Sequence, residues 1–137
     1  MKRSYCQIYI HLIWTTKNRE PWITEPMERD IYELIKLKAH KYESEIIAIG
    51  NTYDHIHVLT KVSPKIAIME MIREFKGSSS YFINNRAGGI LYWQDGYGVL
   101  SVSPSAVNTV KNYVENQKIR HESKKTLERF EVVEEDM

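Results

Sequence analysis

The sequence has one cysteine, Cys6, among its 137 residues. No disulfide can form within the chain, which suits a reducing compartment. No stretch approaches the roughly 18 uninterrupted apolar residues that a membrane-spanning helix needs. Residues 1–10 carry two basic side chains but no long apolar run, so no signal peptide is expected. The expectation is a cytoplasmic protein with no membrane contact. Repeats, low-complexity segments and internal linkers are absent. So is a glycine-rich loop of the kind that cradles nucleotide phosphates. An excess of one charge is lacking too, with 19 Lys and Arg against 18 Asp and Glu, a net +1. That balance does not by itself announce a nucleic-acid partner.

What is present describes an ordinary globular domain. Hydrophobic residues make up 42% and charged residues 27% of a 16.2 kDa chain. A chain of this size buries a core without disulfide or metal staples. The charge is unevenly spread. Glu131, Glu134, Glu135 and Asp136 fall in a final stretch with no basic residue. Without those four acids, 19 basic residues face 14 acidic ones. This reads either as a normal solvated surface or as a modestly cationic body with an acidic tail.

Residues 5–16 (YCQIYIHLIWTT) are aromatic and β-branched and predict a first strand. Residues 17–22 are a polar loop. Thr24 is placed to cap a helix that starts near Pro26, a proline in the first turn, and runs to about Tyr42. Residues 45–53 predict a second strand, Asp54 a turn, and residues 55–62 a third strand antiparallel to the second. A second helix opens at Pro64. Residues 77–80 (GSSS) either end it or kink it, and 81–85 continue it in the second case. Residues 97–103 predict a fourth strand. Ser103 or Ser105 is placed to cap a last helix over about 105–120.

The order strand, helix, strand, strand, helix, strand, helix implies an α+β fold. It is the ferredoxin-like βαββαβ antiparallel sheet with an added C-terminal helix. That fold hosts many unrelated activities, so function has to come from a site.

His55 and His57 flank Ile56 inside the third strand. Side chains alternate across a strand, so both imidazoles emerge on one face and Ile56 and Val58 on the other. Two residues of strand separate them by roughly 6.5–7 Å at the backbone, close enough to share a metal ion. The other reading is a half-buried pair satisfied by neighbouring side chains. The pair gains meaning only if a third ligand and a reacting group converge on it.

The last helix carries an apolar stripe of Val107, Val110 and Val114. The next position on that stripe is Gln117. A buried amide without partners costs about 1–3 kcal/mol, so Gln117 needs hydrogen bonds or a metal. Tyr113 lies four residues earlier, on a neighbouring part of the helix surface. The helix thus presents a phenol and an amide oxygen together. The plain alternative is that Tyr113, one of nine tyrosines, is a packing residue.

Several of these segments together resemble a known family. They are Tyr53-Asp54-His55-Ile56-His57-Val58-Leu59, then Trp93-Gln94-Asp95-Gly96-Tyr97, then Tyr113-Val114-Glu115-Asn116-Gln117. With Trp14-Thr15-Thr16-Lys17 and Phe75-Lys76-Gly77-Ser78-Ser79, they are similar to the single-tyrosine HUH transposases of the smallest prokaryotic insertion sequences. HUH denotes His, hydrophobic, His. The resemblance covers about residues 5–117. It implies a transposase domain over 1–121, followed by a C-terminal segment and acidic tail over 122–137.

By that likeness, His55, His57 and Gln117 would hold a divalent cation, Mg²⁺ or Mn²⁺, and Tyr113 would be the nucleophile. The substrate implied is a hairpin at an element end in single-stranded DNA, cut through a 5′-phosphotyrosine. A homodimer is implied as well. A hairpin binder also needs cationic contacts to phosphates. The candidates are Lys17, Arg19, Lys61, Arg73, Lys76 and Lys111, with Trp93 and Tyr97 as stacking or packing residues. His11, on the first strand, reads as a structural histidine. Two other functions are compatible with the sequence: a domesticated, noncatalytic nucleic-acid-binding module, and a small regulator that binds Zn²⁺ at the histidine pair.

Overall fold

The computed structural model describes residues 4–118. The expected helix end near 120, the boundary at 121 and the acidic tail over 122–137 lie outside the described residues. The chain runs through β1 (Tyr9–Thr15), a 3-10 turn (Lys17–Arg19), α1 (Glu25–Lys41), β2 (Glu45–Asn51) and β3 (His55–Lys61). It continues through α2 (Ile68–Asn85), β4 (Gly98–Val102), a second 3-10 turn (Pro104–Ala106) and α3 (Val107–Glu115). The four strands form one antiparallel sheet in the order β2-β3-β1-β4. This is the α+β architecture expected from the sequence.

Strand alternation gives the sheet two different faces. Ile10, Leu12, Trp14, Ile56 and Val58 point toward α1 and α2 and form the larger core with Ile31, Ile35, Ile72 and Phe75. Fully burying each such side chain stabilises the fold by about 1.5–3 kcal/mol. The opposite face holds a smaller cluster of Ala48, Leu59, Val110 and Val114 beneath α3. The same face carries the polar residues of the site.

Helix α1 buries Ile31, Ile35 and Ala39, a stripe at four-residue spacing. Its first turn holds Glu25 and Glu28 and its last turn Lys38, His40 and Lys41, each sign matching the helix dipole. Thr24 occupies the N-cap position, but its side chain makes no capping bond.

Helix α2 departs from expectation twice. It starts at Ile68, four residues after Pro64, and it runs unbroken through the GSSS segment to Asn85. The serines are accommodated because their hydroxyls bond back onto the helix. Ser78 Oγ donates to Glu74 O at 2.6 Å and Ser79 Oγ to Phe75 O at 2.7 Å. The buried stripe of Met71, Ile72, Phe75, Ser79 and Ile83 continues straight through.

Helix α3 is also shifted. The chain makes the 3-10 turn first, so the residue at the α-helix N-cap is Ala106, and neither Ser103 nor Ser105 caps it. Those two hydroxyls lie 3.3 Å from each other instead. The helix ends at Glu115, turns at Asn116 and resumes helical geometry at residues 117–118. Among the described residues, no helix is long and apolar enough to cross a membrane.

Candidate active site

The site is assembled by register. On β3, alternation sends His55, His57 and Leu59 toward α3 while Ile56 and Val58 enter the larger core. On β1, Thr15 lies opposite His55 and Ile13 opposite His57. On β2, Gly50 lies opposite His57. A register irregularity between Ile46 and Ala48 inserts Ile47 as an extra residue. That bulge sets small residues, Ala48 and Gly50, under α3.

A Cβ built on Gly50 would lie 1.7 Å from the carbonyl oxygen of Val114. Only glycine lets the helix approach the strand this closely. Val110 and Val114 pack on Ala48 and Leu59 and fix the rotation of α3. Tyr113 and Gln117 are thereby turned to the histidines.

The structure brings all four sequence-predicted groups together. The His55 and His57 rings are 5.2 Å apart between centroids, and the His57 and Tyr113 rings 5.7 Å. His55 Nε2 lies 3.4 Å from Gln117 Oε1. Gln117 Nε2 donates to the carbonyl of Tyr113 at 3.0 Å, so the amide oxygen is the end that faces His55. His55, His57, Tyr113 and Gln117 are each at most 1% exposed.

Three neighbours were not singled out from the sequence as site residues. Asp54, read as a turn residue, lies with Oδ1 2.8 Å from His55 Nδ1, and Thr52 Oγ1 lies 2.7 Å from the same nitrogen. His11 Nε2 lies 2.8 Å from His57 Nδ1. Burial would raise the Asp54 carboxyl. Hydrogen bonds and charge from His55 and Arg19 outweigh it and hold the group well below the usual carboxylate range. Arg19 makes the ion pair, at 3.3 Å from Nε to Oδ2. Strand alternation was the available signal for His11, since it shares a face with Ile13 and Thr15. Its pairing with His57 depends on a register that the sequence does not print.

The donor set fits a divalent cation. Both Nδ1 atoms have side-chain partners within the chain, so the Nε2 atoms would be the ligating positions for a metal. With an amide oxygen beside one of them, the donors would be two imidazole nitrogens and one amide oxygen. Among the described residues, no three His, Cys, Asp or Glu side chains are placed to hold one metal ion, so the third donor would have to come from outside those residue types, as Gln117 does.

The six candidate phosphate contacts do not form one patch. Lys17 and Arg19 lie in the turn after β1, next to the His55 end of β3. Lys61 is at the other end of β3, with its ammonium 5.9 Å from the Tyr9 ring centre. Lys111 is on α3. Arg73 and Lys76 are on α2, across the sheet, and line a groove with Trp93, Asp95 and Tyr97. Lys76 Nζ donates to the carbonyls of Gln94 at 2.8 Å and Gly96 at 3.1 Å. Burial lowers its pKa despite the nearby Asp95 charge. The Trp93–Tyr97 motif is therefore a pinned loop. Trp93 Nε1 donates to Ser79 Oγ at 3.0 Å, and Gly96 supplies a left-handed φ of 94°.

Comparison with known proteins accords with this geometry. The family model of IS200-like transposases matches residues 4–117. The chain belongs to the IS200-like transposase family. This transposase is 25% identical over 118 residues to the ISDra2 transposase TnpA of Deinococcus radiodurans, covering 81% of this chain and 84% of that one. Two solved structures share its fold. One, from Deinococcus radiodurans and described as a transposase, superposes with a TM-score of 0.67 at 23% identity, over 85% of this chain and 95% of the other. The second is a REP-associated tyrosine transposase bound to a REP hairpin. Its TM-score is 0.68 at 14% identity, over 88% of this chain and 73% of the other. The matched span falls inside the 1–121 domain expected from the sequence.

Proposed function

We propose that this transposase binds hairpins in single-stranded DNA and cuts and rejoins strands through Tyr113. The single observation that carries the reading is the convergence of Tyr113 and Gln117 on the His55–His57 pair beneath α3. The REP hairpin held by the structural neighbour supports the substrate class.

His55 Nε2, His57 Nε2 and Gln117 Oε1 would hold the divalent cation. When bound, the cation neutralises a nonbridging phosphate oxygen and makes the phosphorus a better electrophile. Imidazole donors suit Mn²⁺ better than Mg²⁺, while phosphoryl chemistry accepts either. No carboxylate sits among the three donors, and the nearest, Asp54, lies behind His55 and is paired with Arg19.

Tyr113 Oη attacks the phosphorus. The new bond joins the phenolic oxygen to phosphorus, and the bond to the 3′ oxygen breaks. The phenol proton passes to solvent and the departing 3′ oxygen takes one up, leaving a 5′-phosphotyrosine and a free 3′-hydroxyl. A phenol has a pKa near 10, so it requires activation at neutral pH. The same property makes phenolate a fair leaving group, and the 3′-hydroxyl of another strand can reverse the step. Bond energy is conserved and no nucleotide is consumed.

All four site groups are buried under α3. A phosphate reaches Tyr113 only when α3 lifts from the sheet or when a second subunit supplies it. The working unit in this reading is a homodimer, as the family resemblance implies.

The test is incubation of the protein with end-labelled single-stranded DNA from its genomic flanks and Mn²⁺. A denaturation-resistant protein–DNA complex is expected, and Tyr113→Phe should abolish it while hairpin binding persists. Hairpin binding with no adduct in the unaltered protein would establish the noncatalytic module instead.

A further inference from the structure

We infer that His11 is a positioning residue for His57, a role that rests on the metal-site reading above. His11 sits on the central strand β1, opposite Leu59 of β3 and Leu100 of β4, and is fully buried. Its ring meets that of His57 edge to edge, with centroids 5.0 Å apart and planes 27° apart, so the contact between them runs close to both ring planes. Its Nε2 is 2.8 Å from His57 Nδ1.

Two ring nitrogens at this distance share one proton. For His57 to offer a lone pair at Nε2, that proton has to sit on His57 Nδ1, with His11 Nε2 accepting it. The opposite arrangement, with His11 donating, leaves the His57 proton on Nε2 and blocks the ligating atom. His11 thus selects the His57 tautomer and, through the same in-plane hydrogen bond, fixes the ring orientation. Asp54 and Thr52 occupy the equivalent position on His55. The two imidazoles are therefore oriented by different chemistry, a carboxylate behind one and a second imidazole behind the other. Groups that orient a ligating histidine in this way typically contribute about 10–100-fold in metal affinity.

The test uses the full chain without DNA. Mn²⁺ binding is measured by calorimetry for the unaltered protein and for His11→Leu, His11→Phe and His11→Gln, and ring ¹⁵N spectra report the His57 tautomer. His11→Leu and His11→Phe should weaken Mn²⁺ binding by about 10–100-fold. His11→Gln, whose amide oxygen can accept the same proton, should recover most of the loss. A role in packing alone predicts the reverse order, with the ring-shaped Phe recovering and Gln not. A folded Leu or Phe variant that binds Mn²⁺ as tightly as the unaltered protein overturns the inference. If neither variant folds, the tautomer decides: His57 protonated at Nε2 in the unaltered, metal-free protein overturns it, and protonation at Nδ1 supports it. Failure of the unaltered protein to bind Mn²⁺ would strike the metal site itself, a separable result.

Discussion

The carbonyl oxygen of Val114 stands 1.7 Å from where a Cβ on Gly50 would be. Helix α3 therefore rests directly on the backbone of β2, and the closeness of that contact decides where Tyr113 and Gln117 lie. Neither partner in this contact carries any chemistry of its own. Together they set the geometry of the candidate site residues.

Gly50→Ala should push α3 off the sheet. Overpacking of this kind typically costs about 1–3 kcal/mol, read as a shift in the urea midpoint. The covalent adduct should fall with it, because Gln117 and Tyr113 move away from the histidines. A Gly50→Ala protein with unaltered stability and unaltered adduct formation would show that the close approach does not hold in solution.

Arg73 and Lys76 line one groove but should behave differently. Arg73 is exposed. If it meets a phosphate, Arg73→Ala should lower the salt dependence of hairpin binding by about 0.7–0.9 in the log–log slope. Lys76 is committed to two carbonyls of the 94–96 segment. Lys76→Met should loosen that loop and cost about 0.5–1.5 kcal/mol per hydrogen bond, with little change in slope. A lower slope for Lys76→Met would mean that its ammonium leaves the loop to meet DNA.

Glu74 joins α1 to α2. The Tyr42 hydroxyl donates to it, Lys41 Nζ lies 3.0 Å from each carboxylate oxygen, and Lys38 Nζ lies 3.6 Å away. The Tyr42 hydrogen bond, then the Lys41 interaction, lower its pKa below the ordinary 4.5. A carboxyl lowered in the folded state adds stability above its unfolded pKa and loses it as pH falls through the folded value. Stability of the unaltered protein relative to Glu74→Gln should thus be constant near neutrality and shrink below pH 4.5. Salt should reduce the difference, since the lysines are partly solvated. A difference that stays constant through acid would show that Glu74 contributes through packing alone.

Much of this molecule was legible in its residue pattern. The spacing of His55 and His57 and the alternation of β3 placed both imidazoles on one face, since a strand has period two wherever it sits. The valine stripe of α3 pointed to Gln117 as an amide on a buried line, and it is buried. The GSSS segment was ambiguous because serine and glycine are poor helix formers locally. Backbonding hydroxyls and a buried stripe on the same helix decided the matter. Ser103 and Ser105 were plausible caps, but a 3-10 turn came first.

Sequence by itself determined the order of elements, the two-faced character of the strands and which side chains share a strand face or a helix surface. Those are properties of neighbours along the chain, governed by local periodicity. Tertiary structure decided that His11 meets His57, that Arg19 pairs with Asp54, that Lys76 serves a loop and that Gly50 admits α3. Each of these joins residues far apart in sequence. Such pairs are fixed by strand register, one bulge at Ile47 and the packing of a helix on a sheet, none of which a linear pattern specifies.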